Sequence, residues 1–359
     1  MAKTPSKIRN LHVCILAGGS GERFWPMSRT DKPKHLLRLL TEKTMLEETV
    51  RRIATVIPLK HIRILTNQAQ LKNTRIAVPQ LPAENIIAEP CKRDTAPAAA
   101  LATALAYRED PDAICAVFPA DAMIHDDAAF GRNLRDALYA VQKFDAFAVF
   151  SIPPTHPSTG FGYVELSRSG KKGPEGSSIF EVLRFVEKPD LAKAKRYLKS
   201  KKHGWNAGMF LWKASHFLEE ADRLQPVLAS FIRKFPKGNP TRFLRTEFEK
   251  LPKISVDYAI MEKANKVVAV KAQFDWDDVG TWTALPAHLD EDHHGNTKLG
   301  AMVSHDAKNN ITISTGRMIA LCGVEDLVVV ETHDAVLVCK RSAVQDVKKL
   351  QPHLPDHLR

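Results

Sequence analysis

The stretch LAGGSGERFWPMSRTDKPKHLL, Leu16–Leu37, overlaps the end of the apolar run LHVCIL, Leu11–Leu16, and decides how the chain is read. The apolar run has the composition of a buried strand. The AGGSG segment behind it lets the chain turn with its N–H groups pointing inward, because glycine puts no Cβ in the way. Clustered amides of this kind hold anionic oxygens. Leu16, Ala17, Gly18, Gly19 and Gly21 are therefore candidate phosphate-cradle positions, with Arg23 and Lys34 adding full positive charge beside them. The spacing is neither GxGxxG nor GxxxxGK(S/T), so neither the dinucleotide fingerprint nor the P-loop is met. A plain strand–loop turn with solvated cations uses the same letters, and the loop by itself leaves both readings standing.

Outward from this loop, short β-branched runs alternate with helical patterns. HVCIL is followed by the amphipathic MLEETVRRIATVI, then IRILTN, ENIIAEP, the Ala-rich TAPAAALATALAYRE, AICAVFPAD, NLRDALYAVQKF and AFAVFSI. Such alternation predicts an α/β fold, a mostly parallel sheet with helices on both faces. Ligands of such sheets bind beyond the carboxyl ends of the strands. From about Ser151, FGYVEL, IFEVLRFVEKP and NAGMFLW read as strands, Ala214 to Lys250 as helical, and VVAVKAQF as a further strand forming the other wall of a cleft. After LDEDHHGNT, Leu289–Thr297, the chain turns β-rich, with AMVSHD, NITIST, RMIALCG, DLVVVETHD and AVLVCKR as short strands and SAVQDVKKL, Ser342–Leu350, as a final helix. The expected units are a catalytic domain over 1–290 and a small β domain over 297–359.

Composition narrows the function. Apolar residues make up 44% and charged residues 26%, ordinary for a globular protein with an ample core. No apolar run approaches the eighteen or so residues that cross a bilayer, which argues against a membrane protein. The basic MAKTPSKIRN is followed by an apolar stretch too short for an export signal and without a cleavage site. Cys14, Cys91, Cys115, Cys322 and Cys339 are scattered with no CxxC pair, which suits a reduced cytoplasm. The net charge of +11 is dispersed, with no basic tract or nucleic-acid motif, so it fits phosphorylated small molecules better than nucleic acid. The densest histidine group, DHHGN at Asp292–Asn296, falls at the domain boundary and reads as solvated linker in preference to a zinc site.

The opening loop resembles the signature loop of the sugar-nucleotide pyrophosphorylases, nucleotidyltransferases that join a sugar 1-phosphate to an NTP. RFWPMS resembles the mannose-1-phosphate guanylyltransferase branch. The similarity continues through EPCKRDTAPA (Glu89–Ala98), FPAD (Phe118–Asp121), TGFGYVE (Thr159–Glu165) and FVEKPD (Phe185–Asp190). It extends through WNAGMFLW (Trp205–Trp212), SVDYAIMEKA (Ser255–Ala264) and FDWDDVGTW (Phe274–Trp282), so that ordered blocks cover nearly the whole chain. The resemblance implies a Rossmann-like, GT-A-like catalytic domain with a C-terminal unit resembling a short β-helix. It also implies transfer of GMP from GTP to α-D-mannose 1-phosphate with Mg²⁺, giving GDP-mannose and pyrophosphate. It leaves the oligomeric state open, a homodimer included. Longer relatives carry an isomerase domain, and no isomerase activity is expected here.

By resemblance, Arg23 and Lys34 lie against the triphosphate, and Asp121 and Asp278 share one Mg²⁺, although each could be an ordinary strand-end turn Asp. Lys188 reaches the sugar phosphate, Glu187 and Asn206 bond sugar hydroxyls, and Gly162 and Gly208 let backbone approach the ring. Asp257 is either a sugar contact or the N-cap of the following helix. Glu89, Arg93 and Thr95 contact the nucleotide, with Thr95 or Asp94 capping the Ala-rich helix. The family usually has Asn at Asp94, His at Ala122 and often Gln at His35. Two rivals remain: a same-fold enzyme for another hexose or heptose phosphate or another NTP, and a non-catalytic GDP-mannose-sensing subunit. The presence of Arg23, Lys34, Asp121, Lys188 and Asp278 together argues for activity.

Overall fold

A computed structural model describes residues 10–359. Nine strands form the central sheet: β1 (Leu11–Leu16), β2 (Ile62–Asn67), β3 (Ile86–Glu89), β4 (Ile114–Pro119), β5 (Phe147–Ile152), β6 (Tyr163–Lys172), β7 (Ser178–Val186), β8 (His203–Lys213) and β9 (Val267–Lys271). Their order is β3-β2-β1-β4-β8-β5-β9-β7-β6, with β6 also pairing β8. The parallel half β3-β2-β1-β4 and the β5–β9 pair meet the α/β expectation, and β8 runs antiparallel between them. Because β2 lies on one side of β1 and β4 on the other, the chain reverses its direction of winding there. The carboxyl ends of β1 and β4 thus frame the crevice where such sheets bind ligands.

Among the described residues, eight α-helices cover the two faces: α1 (Met45–Ala54), α2 (Leu71–Ala77), α3 (Thr95–Tyr107), α4 (Asp127–Phe144), α5 (Leu191–Ser200), α6 (Ala214–Leu224), α7 (Pro226–Lys234) and α8 (Thr241–Glu247). On one face α1 and α4 bury Leu46, Val50, Phe130 and Leu134 against the sheet. On the other, α3 lies under α6 and α7 and is buried from Ala96 to Ala106. That sandwiching explains its alanines, which are good helix formers and leave room for close approach on every side. Thr44 and Glu47 form a reciprocal capping box that starts α1, and Asp94 caps α3 by accepting the Thr95 N–H at 2.8 Å. No helix among the described residues is long and apolar enough to cross a membrane.

The C-terminal strands are β10 (Thr297–Leu299), β11 (Met302–His305), β12 (Ile311–Ser314), β13 (Ile319–Cys322), β14 (Leu327–Glu331) and β15 (Val336–Lys340). β10-β12-β14 and β11-β13 stack in parallel in two separate ribbons, the geometry of a short β-helix, and β15 closes it antiparallel on β14. Buried asparagines hold one corner: Asn310 donates to Asn296 at 2.9 Å and accepts from the Leu327 amide at 3.0 Å. The Asp292 carboxylate turns the DHHGN segment by accepting the His294 and Asn296 amides, each at 2.9 Å. The helix expected over Ser342–Leu350 is instead a run of 3₁₀ turns, Arg341–His353. Its buried Val344 and Val347 are three apart, which suits a three-residue turn.

The β-helix and the sheet domain share one apolar cluster. Phe24, Trp25, Val279 and Trp282 from the sheet side meet Ile311, Ile313, Val328, Val330, Val344 and Val347. Trp282 is fully buried, lies edge-on to Phe24 at 4.8 Å and donates its indole N–H to the Trp25 carbonyl at 3.3 Å. Trp282→Ala should therefore cost about 3–5 kcal/mol, read as a lowered midpoint in guanidinium unfolding. An unchanged midpoint would mean the shared cluster does not hold the two parts together.

Candidate active site

Backbone geometry assembles the crevice before any side chain does. Gly21 adopts φ 62°, and a Cβ there would sit 2.5 Å from the Lys34 amide nitrogen, so only glycine fits where the loop folds back on Lys34. Gly18 and Gly19 leave the floor open, with no neighbour closer than 3.5 Å to an added Cβ at Gly18 and none within 4 Å at Gly19. Across the crevice, Met123 and Asp277 exchange backbone hydrogen bonds at 2.8 and 3.1 Å. This bridge brings the exit of β4, with Asp121, alongside the segment carrying Asp278.

Lys34 ties the two aspartates together. Its ammonium donates to the Asp121 carboxylate and carbonyl, both at 2.9 Å, and to the Asp278 carbonyl. Lys34 is only 6% exposed, and a buried charge of this kind requires such partners. The Asp121 side chain keeps 40% of its surface open to the cleft. Desolvation pushes its pKa up, but the Lys34 charge and hydrogen bond outweigh this and hold the carboxyl below its ordinary value. Asp278 goes the other way, pushed up to about 6 by burial and by the neighbouring Asp277 and Asp121, against the pull of Lys34 and Arg23.

The backbone at Asp278 is held under strain. Val279, buried and β-branched, sits at φ 44°, a conformation such residues avoid. The Asp277 carboxylate holds it there by accepting the Val279 N–H at 2.7 Å, while His288 bonds the other Asp277 oxygen at 3.0 Å. His125 in turn contacts His288 at 3.2 Å.

Two adjoining cavities share Gly21, Lys34, Asp121 and Asp278 as common walls. The larger, about 410 Å³, is walled by apolar Leu16, Leu65, Ala98, Val117 and Phe210 and edged by Glu89, Arg93, Asp94 and Thr95. The smaller, about 360 Å³, is lined mainly by polar and charged residues, with Arg23 and Lys348 among them. One cleft therefore offers a largely apolar chamber and a smaller polar one, where Arg23, Lys34 and Lys348 stand among the carboxylates of Glu22, Asp121 and Asp278.

Beside the large cavity, Asn206 donates to Asp257 at 2.8 Å, and the Asn206 side-chain oxygen accepts the Gly208 amide at 3.0 Å. Asp257 begins a π-helical turn, Asp257–Met261, with its carboxylate spent on Asn206 and no side-chain cap at the turn. The N-cap position is Val256 and no side chain caps the turn, so Asp257 does not cap the helix that follows. Burial and Glu187 push Asp257 up to about 6. Gly208, at φ 66°, and Asp257 line the cavity itself. Glu187 and Lys188 form an ion pair at 2.9 Å, with the Lys188 side chain 64% exposed and its φ at 45°. Neither residue lines either cavity, nor does Gly162, where an added Cβ would collide with the Glu187 carboxylate.

At the other wall, Glu89 ends β3 with one carboxylate oxygen buried and unpartnered among the described residues, and burial pushes the group up to about 8. Thr95 accepts the Val256 amide at 2.9 Å through its hydroxyl, and Arg93 donates to the Glu249 carbonyl.

The family model described as nucleotidyl transferase matches residues 12–294, and the one described as MannoseP isomerase/GMP-like beta-helix domain matches residues 300–354. The chain belongs to the nucleotidyl transferase family. It is 38% identical over 356 residues to a mannose-1-phosphate guanylyltransferase of Escherichia coli K12, an alignment spanning 95% of this chain and 72% of that protein. It is 39% identical over 343 residues to the xanthan biosynthesis protein XanB of Xanthomonas campestris, covering 94% and 71% respectively. Among solved structures, one from Thermus thermophilus described as a mannose-1-phosphate geranyltransferase superposes with a TM-score of 0.87 at 32% identity, over 96% of this chain and 99% of that one.

In this nucleotidyl transferase the three departures noted in the sequence have distinct structural settings. Asp94 sits at φ 69° and ψ −172°, a strained backbone region that side chains other than glycine rarely adopt. His35 is buried, and desolvation lowers it to about 4, so it stays neutral beside Lys34. Ala122 is buried in the wall of the large cavity. Sequence reading missed Lys92 and Trp276, which line the large cavity, and Lys348, which lines the small one. Lys92 and Trp276 lie inside recognised blocks and were legible there, whereas Lys348 lies far from any motif.

Gly21→Ala should displace Lys34 from the two aspartates, because the new methyl meets backbone and not a flexible side-chain tip. The expected outcome is at least about a tenfold loss of kcat/KM with the fold retained by circular dichroism. Wild-type kinetics would show that this close approach does not position Lys34.

Proposed function

We propose that this nucleotidyl transferase transfers GMP from GTP to α-D-mannose 1-phosphate, releasing GDP-mannose and pyrophosphate. The observation that carries the reading is the two-chambered cleft pinned at Lys34, Asp121 and Asp278. The choice of nucleotide and sugar rests on the relatives named mannose-1-phosphate guanylyltransferase in Escherichia coli and Salmonella typhimurium, at 38% and 37% identity.

In this reading the large chamber takes the guanine and the sugar, and the small one the departing pyrophosphate. The sugar phosphate is already an anion at neutral pH, so it attacks the α-phosphorus in line without a general base. The chain's work is to align two polyanions and offset their charge. Gly18, Gly19 and Gly21 present open backbone, and Arg23 supplies charge at the triphosphate. Lys34 keeps the two acidic loops in register. Glu89, Arg93 and Thr95 face the base and ribose. Glu187, Asn206 and Asp257 position sugar hydroxyls, and Lys188 leaves its ion pair with Glu187 to meet the sugar phosphate.

Asp121 and Asp278 suit a hard divalent cation, Mg²⁺ in our reading. The donors are all oxygen, and the Asp278 carboxylate accepts no hydrogen bond from the described residues while crowded by two other carboxylates. When bound, such an ion supplies Lewis-acid stabilisation of charge on the phosphoryl oxygens. No cluster of three or more potential metal ligands occurs among the described residues, so phosphate oxygens and waters would complete the shell.

Pyrophosphate release measured across a matrix of NTPs and sugar 1-phosphates should peak with GTP and mannose 1-phosphate. A better pair elsewhere in the matrix would reassign the substrate while leaving the reaction class. Asp278→Asn should lower turnover by about 10²–10³-fold without loss of folding, and near-normal rates would remove Asp278 from the machinery.

Acidity gives an independent check. Asp278 is at about 6 in the folded chain against 3.8 ordinarily. Its ionised form therefore costs cation-free stability above about pH 6, and that cost fades as pH falls toward the ordinary value. Protons and cation compete for the same oxygens, so Mg²⁺ affinity by calorimetry should fall by up to about tenfold per pH unit below pH 6. An affinity that stays flat across that range would contradict the assignment.

A further inference from the structure

We propose that Lys348, carried by the C-terminal β-helix unit, is a phosphate-binding residue of the small chamber and holds the pyrophosphate half of the nucleotide. The inference rests on the proposed reaction and adds to it a residue outside the catalytic sheet. Three cations line the small chamber, Arg23, Lys34 and Lys348, facing the carboxylates of Glu22, Asp121 and Asp278. Lys34 is already committed to the Asp121 carboxylate and to the Asp121 and Asp278 carbonyls. Its charge mainly offsets those acids. Among the described residues neither Arg23 nor Lys348 has a carboxylate within ion-pair distance, so these two remain for a polyanion.

The placement of Lys348 is built into the core. Its neighbour Val347 is 2% exposed and belongs to the cluster that also contains Phe24 and Val279. Phe24 follows Arg23, and Val279 follows Asp278. Three groups facing one chamber thus each sit next to an anchor in a single apolar cluster, and the distances among them follow from its packing. The signature loop is tied to the same C-terminal region by further contacts, the Thr30 N–H donating to the Arg359 carbonyl at 3.2 Å among them. The Trp25 indole donates to the Leu358 carbonyl at 2.9 Å, and Arg29 pairs with Asp334 at 2.9 Å. The adjacent Lys349 supplies a contrast, because it pairs with Asp346 at 2.8 Å and does not line the chamber.

A lysine ammonium meets phosphate as a point charge and is a common phosphate-binding group. Losing one such contact in a partly enclosed site corresponds to about a tenfold change in affinity. In the forward reaction Lys348 favours the triphosphate in the ground state and the leaving pyrophosphate as charge builds on it. In the reverse reaction it captures pyrophosphate.

The test is calorimetric binding of inorganic pyrophosphate, with and without Mg²⁺, to the full-length wild type, Lys348→Ala, Lys348→Arg and Lys349→Ala, with GDP-mannose as a second ligand. Lys348 is exposed, so its variants should keep the wild-type Tm. The expected result is about a tenfold weaker Kd for pyrophosphate in Lys348→Ala, with recovery toward wild type in Lys348→Arg. Lys349→Ala should stay within about twofold, and GDP-mannose affinity should stay unchanged in all variants. A pyrophosphate Kd in Lys348→Ala equal to that of the Lys349 control overturns the assignment while leaving the proposed reaction intact. Equal weakening toward GDP-mannose overturns it as well, because that marks a general distortion. Wild-type protein that binds no pyrophosphate would overturn both, whereas binding without turnover of GTP and mannose 1-phosphate would overturn only the substrate pair.

Discussion

Burying the ammonium of Lys34 is the constraint around which the cleft is arranged. A cation taken out of water at this depth needs oxygen partners on several sides, and those within reach come from two segments far apart in the chain. Lys34 bonds the carboxylate and carbonyl of Asp121 and the carbonyl of Asp278. The backbone bridge between Met123 and Asp277 holds the same segments side by side. The result is a pair of carboxylates with opposite tendencies. Asp121, beside the lysine, stays ionised, while Asp278, crowded by two acids, is left short of positive charge. That imbalance is what a cation-assisted phosphoryl transfer would use.

Around this centre the molecule spends conformational energy in few places. Val279 is held in a left-handed conformation by the Asp277 carboxylate, which His288 steadies in turn. Strain persists only where surrounding contacts over-determine it, and here those contacts include the fully packed Trp282 and the β-helix side of the same cluster. The C-terminal unit is thus mechanically continuous with the catalytic loop, and Lys348 gives that continuity a chemical outlet.

Much of the site was legible because its chemistry uses local signals. Glycines between a strand and a cationic stretch mark a tight loop, and Gly21 shows why the residue type matters, since a side chain there would collide with Lys34. Asp121 follows the end of β4 and Asp278 the segment after β9, both inside recognisable blocks. Local pattern failed where a side chain answers to a distant partner. Asp257 reads from its neighbours as either a cap or a sugar contact, and its carboxylate is drawn across to Asn206 on β8. The terminal segment has helical composition, but its two buried valines and the concave surface they meet favour 3₁₀ turns.

By itself the sequence determined the alternation of strands and helices, the family and the residue types at the carboxyl ends of β1 and β4. These follow from periodicity and from short motifs that read the same in any context. Only the tertiary structure decided which charges face one another, which stay free for a ligand, and how the β-helix reaches the cleft. Burial and Coulomb interaction depend on distances of a few ångströms between residues hundreds of positions apart, and no local pattern encodes those distances.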